Sequence, residues 1–368
     1  MKFLFVSGFQ HLPQAYGGIM ANTHEIAVEL KQRGHEIVVA ANMEPKDRVG
    51  FRTRLMGRLV GKKRVSDRLM GYPTYRRWDI RQALEDIVQR ECPDVAVVQA
   101  LYQVELGKIL DRLSIPMIVY FHDVLFDLID GDPSTLRNAL FLSNSQFTAR
   151  AYREKYGLES AVLPPLFRTE LYRTATEPAY VTLINPQIFK GSDVALELVA
   201  RCPDIPFCFV ESWRLTVEQE AEMRAHARKF PNLTFRNRTA DMKSVYRQTK
   251  ILLAPSRLEE GWGRVASEAQ YSGIPVLASS RGALPEAVGP GGLLLDPDAP
   301  IEDWVKALRR LWDDKTHYAA LSAAALRHAE RADIRTSAQI DTLLALAEKA
   351  ALLRRSPGAS NLAERRTG

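Results

Sequence analysis

Short runs of apolar and β-branched residues recur along the chain, and between them the apolar positions return every three or four residues. The runs read as strands buried on both faces of a parallel sheet, and the intervening pattern reads as crossover helices. Six runs occupy the first half: Lys2–Val6, Glu36–Ala41, Asp94–Gln99, Met117–Phe121, Ala139–Ser143 and Ala161–Leu163. Six more follow at Tyr180–Ile184, Pro206–Val210, Leu233–Arg236, Ile251–Ala254, Pro275–Ala278 and Leu293–Leu295. Two doubly wound α/β sheets in tandem suit this alternation better than one large sheet.

Pro164 and Pro165 end the first series and a polar stretch leads to Pro178, which places the two domains at 1–165 and 178–335. From Ile301 the chain turns helical, with Trp304, Leu308, Leu311 and Trp312 on one face and Ile340, Leu343, Leu344 and Ala347 on another. Residues 336–355 are expected as a C-terminal helix packing back toward the first domain. Residues 356–368 mix Pro, Gly, Ser, Asn and charges without periodicity and are expected as a disordered tail.

Composition adds bounds. With 368 residues, 46% apolar and 26% charged, the chain can bury two cores, which excludes disordered and collagen-like classes. No apolar run approaches the roughly 20 residues that span a bilayer, and Met1 leads straight into KFLFV without the parts of a signal peptide. A cytoplasmic chain is the expectation. Cys92, Cys202 and Cys208 form no C-x-x-C pair and are expected to be small buried hydrophobes. The net charge of +6 is local: residues 46–77 carry eleven basic and two acidic side chains, so that stretch is +9 and the remainder is −3. Within it Leu55, Leu59 and Val60 lie near arginines in a short basic amphipathic pattern, which suits an anionic membrane surface or an anionic acceptor as well as a solvated loop. Stacking aromatics are sparse there, and nucleic acid is not expected as a partner.

Several positions could carry chemistry. Gly17 and Gly18 follow the first strand and open a helix, where backbone N–H groups and the helix dipole favour an anion; no G-x-G-x-x-G fingerprint is present. His122 follows a strand at the carboxyl end of the sheet, where open α/β folds hold ligands. No thiol or histidine spacing fits structural zinc, and the acidic pairs Asp130–Asp132 and Asp296–Asp298 read as turns, so no metal is expected. The most specific stretch runs from Ala254 to Val276. Glu260 precedes Gly261-Trp262-Gly263, which open a helix, and Glu268 comes eight positions later, just over two helical turns, so Glu268 is expected deeper on the same side.

Gly17-Gly18, Lys190-Gly191 and Glu260-x7-Glu268 in the setting P-S-x(4)-G-W-G-x(4)-E-A-x(3)-G-I-P-V together resemble the retaining glycosyltransferases of family 4. The resemblance spans nearly the whole chain. It implies the GT-B architecture, two Rossmann-like domains facing across a cleft, with a nucleoside diphosphate sugar held mainly by residues 178–335 and the acceptor mainly by residues 1–165. It also implies sugar transfer without a bound metal or cofactor, the sugar nucleotide being a co-substrate. Carried over by position, Glu260 would bind hydroxyls of the donor sugar, Glu268 the ribose hydroxyls and Lys190 the diphosphate. Backbone N–H groups at Gly17, Gly18, Gly263 and Arg264 would surround the leaving group, and His122 would face the donor sugar.

Two departures stand out. The family's arginine a few residues before the lysine is replaced by Asn185-Pro186, and its glycine-rich turn after the next strand is replaced by Val210-Glu-Ser-Trp213. Arg264 could supply the missing charge from another direction. Two rival functions share the resemblance's architecture: a nucleotide-sugar 2-epimerase-like isomerase, for which the chain offers mainly His122 and Asp123, and a non-catalytic nucleotide-sugar-binding subunit. Docking of residues 46–77 would place the chain peripherally on the inner face of a membrane.

Overall fold

Thirteen strands form two separate all-parallel sheets in the computed structural model, which describes residues 1–44, 46–52, 55 and 66–353. The first sheet comprises β1 (Lys2–Gln10), β2 (Glu36–Asn42), β3 (Thr74–Arg77), β4 (Val95–Gln99), β5 (Met117–Phe121), β6 (Ala139–Ser143) and β7 (Ala161–Val162), in the order β3-β2-β1-β4-β5-β6-β7. The second comprises β8 (Tyr180–Ile184), β9 (Phe207–Val210), β10 (Leu233–Arg236), β11 (Thr249–Ala254), β12 (Val276–Ser279) and β13 (Gly292–Leu295), in the order β10-β9-β8-β11-β12-β13. Both begin at a central strand, wind outward to one edge and then return to wind toward the other. Each therefore has a switch point, between β1 and β4 in the first and between β8 and β11 in the second, where a crevice opens at the carboxyl ends of the strands.

Burial explains why the apolar runs are continuous rather than alternating. Val95 to Gln99 and Met117 to Phe121 are buried at every position, as strands covered by helices on both faces must be. The chain divides into one unit of Met1–Asn144, Thr148–Leu163 and Ser337 onward, and another of Ser145–Phe147 and Pro164–Thr336. The helix Thr336–Leu353 thus belongs almost wholly to the first unit, where Arg33 pairs with Asp341 and donates to the Ser337 carbonyl at 3.1 Å. Its buried residues include Ile340, Leu343 and Ala347. In the second unit Trp304, Leu308 and Leu311 of the helix Ile301–Asp313 pack into the core beneath β8, β9 and β11. No described helix is long and apolar enough to cross a membrane. The tail expected at 356–368 lies outside the described residues.

Three expectations are corrected. The segment Thr74–Arg77 inside the basic stretch is a strand, β3, paired with β2. Its Arg76 side chain is wholly buried, donating to Asp67 at 2.7 Å and to the carbonyls of His11 and Leu12 at 2.9 and 2.5 Å, so it contributes nothing to a surface patch. Cys92 is exposed, because it ends the helix Leu84–Glu91 in left-handed backbone at φ 46°; Cys202 and Cys208 are buried, and all three are free thiols. Of the amphipathic basic pattern, Arg54, Arg58, Leu59, Val60, Lys62, Lys63 and Arg64 lie outside the described residues.

Candidate functional site

In the second unit the loops leaving β8 and β11 meet at the switch point, and glycine makes the meeting close. Gly191 has φ +80°, and a Cβ placed on it would lie 2.0 Å from the Pro255 carbonyl oxygen. Only glycine lets the segment after β8 rest directly on the segment after β11. The two are then laced together: the Phe189 carbonyl accepts from the N–H groups of Arg257 and Leu258 at 3.0 and 3.1 Å. Lys190, at the end of the short 3-10 turn Ile188–Lys190, reaches Glu260 with 2.5 Å between Nζ and Oε1. Both side chains are 16% exposed, so the pair is partly shielded yet reachable. Ser256 Oγ donates to the same Glu260 oxygen at 3.0 Å.

A third loop fixes the carboxylate's backbone. Gly282, after β12, has φ +60° and leaves no room for a Cβ beside the Glu260 amide, while the Ala283 N–H donates to the Glu260 carbonyl at 2.7 Å. From the end of β9, Trp213 places its indole 5.2 Å from Lys190 Nζ and 5.7 Å from the Phe189 ring. A charge pair held by loops from neighbouring strands at a switch point is suited to an anionic, hydroxyl-bearing ligand.

Glu268 occupies different ground. The helix Arg264–Gln270 begins only after Gly263, whose φ of +87° breaks the path from Glu260, so the two glutamates do not share a continuous helix face. Glu268 is 7% exposed and accepts from Tyr246 Oη at 2.7 Å and from Arg264 Nε at 3.3 Å. Burial and the neighbouring carboxylate push the Tyr246 phenol well up, which keeps it a donor to Glu268. Arg264 is neither a surface arginine nor an uncommitted charge: it also donates to the Leu166 carbonyl at 2.9 Å and Tyr172 Oη at 3.0 Å and lies 4.4 Å above the Phe167 ring. Its guanidinium ties the helix to the segment that enters this unit.

The remaining candidates lie in the first unit. Gly17 caps the helix Gly18–Gln32 with extended backbone, φ 170°, a conformation open to any residue, and the first turn of that helix carries no acidic side chain to neutralise its dipole. His122 follows β5 and is 9% exposed. Gln99 donates through Nε2 to Thr23 at 2.6 Å, leaving its Oε1 to accept from His122 Nε2 at 3.0 Å, which assigns the proton to Nε2. The imidazole lies 4.1 Å from the Tyr120 ring, and the His122 carbonyl accepts from Asn144 at 2.8 Å. Burial raises the Asp123 carboxyl, opposed by the Leu125 N–H.

The acidic pairs act as turn and cap residues. Asp130 accepts from the N–H groups of Val104 and Glu105 at 3.0 and 2.7 Å, Asp132 from Ser134 at 2.8 Å and Asp296 from Asp298 at 2.8 Å. Among the described residues no cluster of His, Cys, Asp and Glu has a metal-binding arrangement. Ser256, Tyr246 and Gly282 were not anticipated from sequence. Ser256 stands in the motif, but Tyr246 and Gly282 lie on elements that only the strand order brings to Glu268 and Glu260.

Two family models match the chain: Glycosyltransferase Family 4 over residues 16–170 and Glycosyl transferases group 1 over residues 179–328. Among curated relatives, the D-inositol 3-phosphate glycosyltransferase of Corynebacterium kroppenstedtii is 42% identical over 101 residues, 27% of this chain and 22% of that protein. The protein of the same name from Corynebacterium diphtheriae is 36% identical over 159 residues, 39% of this chain and 36% of that one. The matched portions are thus well under half of either relative. Sucrose-phosphate synthase from Thermosynechococcus elongatus superimposes with a TM-score of 0.75 at 14% identity, covering 97% of this chain and 100% of that one. HepE from Anabaena, in complex with UDP-glucose, gives 0.71 at 18% identity over 95% and 100%. At these identities the likeness is one of fold, and it accords with two parallel-sheet α/β units.

Proposed function

Since the chain belongs to the GT-B glycosyltransferases of family 4, we propose that it moves a sugar from a nucleoside diphosphate sugar to an acceptor hydroxyl, with retained configuration and no bound metal. The Lys190–Glu260 pair at the second switch point carries this reading. Before a donor binds, each charge compensates the other. On binding, the ammonium would turn to the diphosphate, where a charge-assisted bond offsets the negative charge of the leaving group, and the freed carboxylate would accept from hydroxyls of the transferred sugar. Glu268 would hold the ribose hydroxyls, its position set by Tyr246 and Arg264.

In this proposal the backbone N–H groups of Gly263 and Arg264 lie near the phosphates. Gly17, Gly18 and His122 enter on the resemblance, supported by a helix start without acidic neighbours and an imidazole of assigned tautomer. The relatives' name makes a phosphorylated polyol the first acceptor to assay. The reading is tested with Glu260→Ala. Transfer should fall at least about a hundredfold with circular dichroism unchanged, the scale of losing a group that stabilises the transition state. Unchanged turnover would remove Glu260 from the site, and an epimerised sugar nucleotide formed with no acceptor present would favour an isomerase instead.

The exposed Lys46, Arg48, Arg52 and Arg68, with exposed Phe51, Leu55 and Leu69, support a second part of the proposal, contact with an anionic membrane surface. Cosedimentation with phosphatidylserine vesicles tests it. Equal recovery with neutral vesicles would count against it.

A further inference from the structure

Five non-glycine residues among those described have left-handed backbone, and their positions are uneven. Cys92 and Ser114 end helices, where that conformation is ordinary. Ala100, Tyr102 and Asn185 instead follow β4 and β8, strands that border the two switch points. Asn185 is the more unusual because Pro186 comes next: the proline ring pushes the preceding residue toward extended backbone, yet Asn185 has φ 66°.

Hydrogen bonds hold it there. Its N–H donates to the Val210 carbonyl and its own carbonyl accepts from the Gln187 N–H, both at 2.8 Å. The side chain is 5% exposed, and its Oδ1 is buried without a hydrogen-bond partner among the described residues. A residue held in left-handed backbone beside a switch point, with a buried and unmatched acceptor, is a candidate binding position. At the place where the resemblance puts an arginine, this chain therefore presents an acceptor instead of a charged donor. A diphosphate at neutral pH has no hydrogen to give such an oxygen. A sugar hydroxyl has.

We propose that Asn185 is a specificity-determining residue whose Oδ1 accepts a hydrogen bond from a hydroxyl of the bound sugar nucleotide, leaving the diphosphate charge to Lys190. The proposal rests on the sugar-nucleotide reading above. Two hydroxyl sources fit it, the transferred sugar and the ribose, and the ligands separate them.

Wild type, Asn185→Gly and Asn185→Asp are titrated calorimetrically with pyrophosphate, UDP and UDP-glucose, and in parallel with GDP and GDP-mannose. Glycine adopts the left-handed backbone without strain, so the first variant removes the carboxamide while easing the fold. Its affinity for pyrophosphate should stay within about twofold, and that for the sugar nucleotide should fall about three- to tenfold, the range of one neutral hydrogen bond. A loss already present with the nucleoside diphosphate assigns the ribose, and a loss confined to the sugar nucleotide assigns the transferred sugar; either supports the proposal. Asn185→Asp keeps the acceptor, so it should retain the gain over pyrophosphate while binding pyrophosphate itself more weakly. Equal losses for pyrophosphate and sugar nucleotide in Asn185→Gly would make Asn185 a phosphate contact, and unchanged binding of every ligand would make it structural. Both results overturn the proposal. A wild-type protein that binds none of these ligands would instead remove the sugar-nucleotide reading on which it rests.

Discussion

Replacing Gly191 with alanine isolates the contact that brings Lys190 to Glu260. The new Cβ would start 2.0 Å from the Pro255 oxygen and 2.7 Å from the Pro255 carbonyl carbon. Ordinary C···O contacts lie near 3.3 Å, so the segment after β11 must retreat by about 1 Å. Left-handed backbone costs alanine about 1–2 kcal/mol and overpacking adds about 1–3 kcal/mol, so roughly 3 kcal/mol is expected in all. For a unit of this size that lowers the midpoint of thermal unfolding by roughly 6–12 °C. Gly273→Ala is the matched comparison. Its φ is +68° in the same unit, but the nearest atoms to a Cβ belong to side chains, the Ser322 hydroxyl at 3.1 Å and Leu326 at 3.2 and 3.3 Å, which can give by a few tenths of an ångström. The backbone cost should dominate, about 1–2 kcal/mol. Differential scanning calorimetry measures both. Because the displaced segment leads to Glu260, the proposed function predicts that Gly191→Ala also weakens binding of whichever nucleoside diphosphate the wild type takes, whereas Gly273→Ala should not. Equal midpoints for the two variants, or nucleoside diphosphate affinity untouched in Gly191→Ala, would show that the loops do not depend on this close approach.

Other perturbations test the first unit. Arg76→Met removes the buried guanidinium that serves Asp67 and two backbone carbonyls, and should cost about 3–5 kcal/mol by urea unfolding; a change below about 0.5 kcal/mol would show those partners to be satisfied without it. His11 is held by burial, with Arg76 adding to the effect, at a pKa of about 3. Between that value and the unfolded value of about 6.5 the unfolded chain binds more protons, so stability present above pH 6.5 is lost on acidification at up to about 1.4 kcal/mol per pH unit. His11→Gln, which can still bond the Tyr72 hydroxyl, should flatten the dependence of unfolding free energy on pH between 7 and 5. An unaltered slope would assign the titration to another group.

Strands were legible wherever burial on both faces made the sequence monotonously apolar, and the one that escaped shows the limit of that signal. Thr74-Tyr75-Arg76-Arg77 carries two adjacent charges, which read as surface. Its burial depends on Asp67 and on carbonyls more than sixty residues away, partners assembled only when β3 joins β2. The same distinction runs through the candidate site. Glu260 was marked by the glycines and the helix start around it and Lys190 by the family resemblance, and the sheet order then set them side by side. Glu268 was also marked, but a spacing of eight residues fixes a shared helix face only where the backbone stays helical, and Gly263 interrupts it between the two glutamates. Tyr246 and Gly282 had no local mark at all: a tyrosine within a short helix and a glycine within a turn acquire their roles from strand order alone. Asn185 is the intermediate case. Its identity was visible as a departure from the family pattern, but the left-handed backbone ahead of Pro186 was the reverse of what that proline suggests. The departure becomes informative only when strain, burial and an unmatched oxygen are found on the same residue beside a switch point, since each alone has an ordinary structural explanation.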